Sequence, residues 1–177
     1  MKLEIVTHCW RYSRLLTYQL SSLAIHPPKR VNIRVSVYYS KADEETAGVL
    51  AFFADRVVPH VEWNWCELQT GQLFRRAIGR NHAALSTKAD WVWFTDADYC
   101  FGDGCLDSLP VLLESVQGPL AFPRWVQINK THQLGDATVG SMTGDVQIRD
   151  LTRSDFAGER MNRATGGIQI ARGDVCR

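Results

Sequence analysis

Short β-prone apolar runs alternate with stretches of helical period along most of this chain. That alternation is its strongest constraint, because strands linked by crossover helices pair in parallel. Leu3 to Val6 is an apolar run closed by Thr7-His8-Cys9-Trp10. Ser13 then stands where a cap opens a helix carrying Leu16, Leu20 and Leu23 on one stripe. Pro27 and Pro28 stop it, and Val31 to Val37 alternates apolar with polar residues, the period of a strand with one partly polar face. Asp43 begins a second helix, with Glu44 and Glu45 in the first turn where the dipole favours them and Val49, Leu50 and Phe53 inward. Val61, Trp63 and Trp65 alternate with Glu62 and Asn64 as a third strand.

Gln72 to Ser86 reads as one helix with Phe74, Ala77, Ile78 and Leu85 inward, and Asn81 falls on that face, where a polar group needs a buried partner or a ligand. Trp91 to Phe94 is too short for a helix and runs as a strand straight into Thr95-Asp96-Ala97-Asp98. Gly102 to Gly104 turns the chain into a helix around Leu106, Leu109, Leu112 and Leu113. Leu120, Phe122, Val126 and Ile128 suggest one more strand, and Gly135 to Met161 reads as a long loop with one short helix at most. Trp63, Trp65, Trp91 and Trp93 are assigned to packing, and so is Trp125, in preference to stacking on a ligand. The result is an α/β fold with a mainly parallel sheet, whose ligands belong outside the carboxyl ends of the strands.

A chain of 177 residues fits a single domain over 1–177. Twenty basic against nineteen acidic residues leave a net charge of +1, so no global field draws the protein to nucleic acid or anionic lipid. The five cysteines are odd in number and scattered, without the spacing of a zinc site or a disulfide framework, and a reducing cytoplasm is the expected location. No apolar run is long enough to span a membrane.

The chemistry concentrates on Asp96 and Asp98. Two carboxylates at i and i+2 leaving a buried strand point the same way if the extended geometry persists, and together they suit Mg²⁺ or Mn²⁺, whose remaining ligands are phosphate oxygens and water. The competing reading is that both are ordinary turn residues. His8, at the end of the first strand, is either a nucleotide contact or a loop histidine with a local hydrogen bond. Arg75, Arg76 and Arg80 form a basic patch on one helix that solvation alone would explain.

Four segments in order then resemble one family. Gly79-Arg80-Asn81, Phe94-Thr95-Asp96-Ala97-Asp98, Gly102-Asp103-Gly104-Cys105-Leu106 and Thr165-Gly166-Gly167-Ile168-Gln169-Ile170-Ala171-Arg172 resemble the motifs of inverting family-2-type glycosyltransferases with a GT-A fold. The resemblance implies a GT-A-type (Rossmann-like) three-layer sandwich, with residues 1 to about 100 as the nucleotide-binding half and about 101 to 177 as the acceptor-side half. It implies a nucleoside diphosphate sugar as donor, uridine being the first base to expect, and a sugar, lipid-linked or protein acceptor. Asp96 would contact the ribose or metal, Asp98 would ligate the metal, and Arg80 would approach the diphosphate or base. Thr7, His8, Ser40 and Ala97 complete the expected nucleotide contacts, with Thr7, Ser40 and Asp96 at one edge of the sheet.

The pattern departs from the family where Tyr38-Tyr39-Ser40-Lys41-Ala42-Asp43 replaces acidic residues near the base, and where Tyr99 replaces a third acid. The family's general base follows the last segment, so it is expected beyond Arg177; Asp145, Asp150 and Asp155 are alternatives among which the sequence does not choose. Three other readings compete. Asp96-Ala97-Asp98 with Gly102-Asp103-Gly104 and Asp107 resembles haloacid-dehalogenase-like phosphatases, although those motifs belong far apart in that family. Sugar nucleotidyltransferases need a Gly-rich basic loop that Thr7-His8-Cys9-Trp10-Arg11 is not. A non-catalytic nucleotide-sugar-binding module is the third.

Overall fold

The computed structural model describes residues 1–129, 145–151, 154, 156–163, 165 and 167–176. Its core is a six-stranded sheet ordered β3-β2-β1-β4-β8-β5, formed by β1 (Lys2–His8), β2 (Asn32–Tyr39), β3 (Val61–Glu67), β4 (Trp91–Thr95), β5 (Leu120–Ala121) and β8 (Ile168–Arg172). Strands β1 to β4 run parallel, whereas β8 lies antiparallel between β4 and β5. Side-chain alternation gives each sheet face its own cluster. Leu3, Ile5, Val35, Trp93 and Ile170 pack with α1 (Ser13–Ile25), α2 (Glu44–Ala54) and α5 (Cys105–Glu114). Val6, Tyr38, Val92 and Phe94 pack on the other face with Leu73 of α3 (Thr70–Leu73) and Ala83 of α4 (Arg76–Ser86). A short α6 (Gly173–Cys176) closes the described chain. This is the expected three-layer α/β arrangement.

The polar face of β2 is covered rather than wet. Ser36 Oγ donates to Glu4 Oε1 at 2.5 Å and accepts from Asn64 Nδ2 at 2.8 Å, so the buried Glu4 carboxylate is hydrogen-bonded. Asp43 caps α2 as expected, accepting from Thr46 N at 3.2 Å. Gly104, at φ +70°, supplies the left-handed turn that starts α5, the conformation that favours glycine.

Several expectations are corrected. Ser13 is the first helical residue and its hydroxyl donates to Glu45 at 2.8 Å instead of capping α1. The helix expected over Gln72 to Ser86 breaks at Arg75 (φ −93°, ψ 75°). Phe74, 64% exposed, turns edge-on to Trp10, and α4 meets the sheet through Gly79 and Ala83 while Leu85 is 70% exposed. Asn81 is exposed and needs no buried partner. The expected strand through Phe122 divides, β5 joining the main sheet while β6 (Trp125–Asn129) pairs antiparallel with β7 (Phe156–Arg160), a strand inside the stretch read as loop. Trp125 is 68% exposed and so is not core. Residues 130–144 and Asp155 lie outside the described residues.

Among the described residues no helix is long and apolar enough to cross a membrane. All five cysteines are free.

Candidate functional site

The parallel strands bring the ends of β1, β2 and β4 to one edge, and with them Thr7, His8, Ser40, Asp96 and Asp98. Asp96 leaves β4 with its backbone held: its carbonyl accepts from Gln19 Nε2 at 2.9 Å. Gln19 is fully buried on α1 and sequence reasoning passed over it. The available signal is a glutamine inside the Leu16-Leu20-Leu23 stripe, where an amide needs a partner. Phe101, whose N–H bonds Ser22 Oγ at 2.9 Å, fastens the far end of the same loop to α1.

The Asp96 carboxylate faces two guanidinium groups. Arg76 Nη1 lies 2.8 Å from Oδ1, and Arg80 Nη2 lies 3.8 Å from the same atom. Arg80 is the more enclosed, 23% exposed against 59% for Arg76, and its guanidinium stands 5.8 Å over the Phe94 ring. Sequence reasoning named Arg80 and left Arg76 to solvent; their i, i+4 spacing on one helix was the signal that both reach the same point.

Asp98 lies on the surface of the same loop. Its carboxyl is held above the ordinary carboxylate range, first by desolvation and then by Asp96, against the opposing pull of its own backbone N–H and of Arg76. Two neighbouring carboxylates so arranged form a hard oxygen donor set that a divalent cation would relieve. Gly167 packs against the Asp96 carboxylate, where a β-carbon would come 3.0 Å from Asp96 Oδ2 and 2.9 Å from Tyr99 Cε2. The glycine lets this segment pack closely on Asp96 and Tyr99. No cluster of three or more His, Cys, Asp or Glu that could hold a metal ion occurs among the described residues.

The remaining candidates line or support this edge. Thr7 is fully buried and its Oγ1 has no hydrogen-bond partner among the described residues. Ser40 Oγ lies 3.1 Å from Thr70 Oγ1, tying the end of β2 to α3. Ala97 is buried in the core between the two aspartates. His8 stacks on Tyr38 and its imidazole is depressed to about 4, by burial first and then by Arg80 and Arg76, so it is neutral near pH 7. Asp43, shortly after the end of β2, is buried, and takes the N–H of Arg11 at 2.5 Å and the hydroxyl of Thr46 at 2.7 Å. Asp107, which the phosphatase reading requires, accepts instead from the backbone of Lys29 and Arg30 at 2.8 Å each. Asp145 is exposed, and Asp150 is exposed with Oδ1 taking the N–H of Leu151 at 2.7 Å.

Among solved structures, residues 1–349 of S. aureus TarS superpose at a TM-score of 0.53 with 17% identity, covering 68% of this chain and 34% of that one. The same protein in complex with UDP-GlcNAc gives the same score. The mannosyltransferase PcManGT from Pyrobaculum calidifontis, in complex with GDP-Man and Mn²⁺, superposes at 0.51 with 18% identity, covering 66% of this chain and 32% of that one. The fold is of the glycosyltransferase GT-A type. This chain spans about a third of the length of those proteins. No family model matches it, and no curated protein matches it.

Proposed function

We propose that this chain is a glycosyltransferase domain that binds a nucleoside diphosphate sugar, with Asp96 and Asp98 holding Mn²⁺ or Mg²⁺ and Arg80 facing the diphosphate. One observation carries the reading: a carboxylate pair leaves the carboxyl end of β4 beside the guanidinium groups of Arg76 and Arg80, in the crevice where open α/β sheets bind ligands. A cation held by these residues would supply Lewis-acid stabilisation of the negative charge that develops on the leaving group. Asp96 and Asp98 would supply its protein oxygens, Gln19 holds their loop, and Gly167 packs beside Asp96. Thr7, His8, Ser40 and Ala97 lie at the same strand edge, with Thr7 and Ala97 buried beneath it. The neighbours' complexes with UDP-GlcNAc and with GDP-Man and Mn²⁺ support a donor and a cation of these classes. Transfer would be inverting, to the hydroxyl of a sugar, lipid-linked or protein acceptor.

Calorimetry against UDP, GDP, CDP and TDP with Mn²⁺ tests it. Binding is expected, with UDP first. Silence toward all four removes the reading, and binding of GDP or TDP alone corrects the base.

A further inference from the structure

We propose that Arg76 is an exchangeable counter-ion. In the free protein it neutralises Asp96; when donor and cation arrive it moves to the diphosphate while the cation takes over the Asp96 carboxylate. The proposal rests on the donor and cation reading above and adds to it a role for a residue outside the resembled motifs.

The geometry points to exchange through three features. First, Arg76 Nη1 stands 2.8 Å from Asp96 Oδ1, the separation of a charge-assisted hydrogen bond, so one oxygen of this carboxylate is already engaged. A cation approaching Asp96 with the guanidinium in place meets a like charge within a few ångströms, and metal alone should bind weakly. Second, the two arginines differ in freedom. Arg80 is enclosed and sits over Phe94, whereas Arg76 is 59% exposed and begins α4 directly after the break at Arg75, so its long side chain has open solvent to turn through. Third, charges stay matched throughout. Asp96 and Asp98 face Arg76 and Arg80 in the free protein, and a divalent cation together with a diphosphate adds both signs at once. Arg76 then exchanges a carboxylate for a phosphate, for which a planar guanidinium fork is equally suited.

Exchange makes cation and nucleotide cooperative, since each removes what obstructs the other. The test titrates the full chain with Mn²⁺ alone, and with UDP (or GDP, where the wild type prefers it) in the presence of Mn²⁺, for wild type, Arg76→Gln and Arg76→Lys. Arg76→Gln should bind Mn²⁺ alone roughly 2- to 5-fold more tightly, the span of a partly exposed ion pair, and should bind the nucleotide with Mn²⁺ more weakly. Changes of opposite sign in one variant are not produced by loss of structure. Arg76→Lys keeps the charge but not the fork, so its affinity for Mn²⁺ alone should stay at the wild-type level while nucleotide affinity falls. Arg76→Gln with both affinities weakened, or with either one unchanged, overturns the exchange. If Arg76→Gln does not fold, Arg76→Lys with undiminished nucleotide affinity overturns it. A wild type that binds no nucleoside diphosphate with Mn²⁺ brings down the donor reading itself, and the exchange with it. A wild type that binds one while Arg76→Gln behaves identically brings down the exchange alone.

Discussion

His8 lies directly against Gly79. A β-carbon on Gly79 would overlap His8 Nε2 and stand 2.9 Å from Tyr38 Cγ, on whose ring the imidazole stacks at 5.0 Å between centroids. A residue without a side chain at this point lets α4 settle on the ends of β1 and β2, and α4 carries Arg76 and Arg80 to Asp96.

Gly79→Ala should therefore destabilise the protein. Alanine gains about 1 kcal/mol of helix propensity, but packing a methyl against two stacked rings costs about 1–3 kcal/mol, and the cost should win. Urea unfolding measures the difference. A variant as stable as wild type would mean that α4 does not rest on His8.

Stability should also fall on acidification through His8. Its folded-state value of about 4 is below the ordinary 6.5, so the unfolded chain takes up the proton first. The contribution is complete above pH 6.5 and is lost as pH drops toward 4, with an upper bound of about 3 kcal/mol. His8→Asn, which cannot titrate, should flatten unfolding free energy against pH in that window. An unchanged slope would put the imidazole in water.

Gly167→Ala should separate binding from folding. The new methyl would press on Asp96 Oδ2 and the Tyr99 ring, both of them ends of side chains that can yield, so the cost in stability should be about 1 kcal/mol. The displaced carboxylate should weaken metal-dependent nucleotide binding. Full affinity in this variant would remove Gly167 from the site.

Asp98→Asn keeps the size of the side chain and removes the charge that would balance a cation. Metal enhancement of nucleotide binding should fall at least as far as the roughly 10- to 100-fold lost with an outer partner of a metal site, with melting unchanged because the residue is on the surface. If Asp98 only shapes the turn, asparagine serves equally well and wild type and variant will show the same enhancement.

Much of this was legible in residue order. The β1-α1-β2-α2-β3 alternation, the strand Trp91–Thr95 leading into Asp96 and Asp98 and the Gly102 to Gly104 turn announce themselves through hydrophobic period and turn chemistry, whereas the strand Ile168–Arg172 is marked by the resemblance of its segment to a family motif. Parallel pairing then brings Thr7, Ser40 and Asp96 to one edge without further information, because every crossover returns the chain in the same direction. Those signals are local, and they read off a single segment at a time.

Tertiary contacts decided the rest. Hydrophobic period put Phe74, Ile78 and Leu85 against the sheet, yet α4 docks through Gly79 and Ala83, because the stacked His8 and Tyr38 leave space there only for small residues. That rotation sets Arg76, still 59% exposed, on Asp96. Gln19 became a site-holding residue only once the Asp96 carbonyl came within its reach from the far side of the chain, and β7 became a strand only by finding β6. Sequence by itself determined the strands β1 to β4, the helices α1, α2 and α5, and where the two carboxylates would emerge. Which helix face meets the sheet, and so which arginine meets which carboxylate, depends on the volume left by residues distant in sequence, a quantity that exists only once the layers are packed.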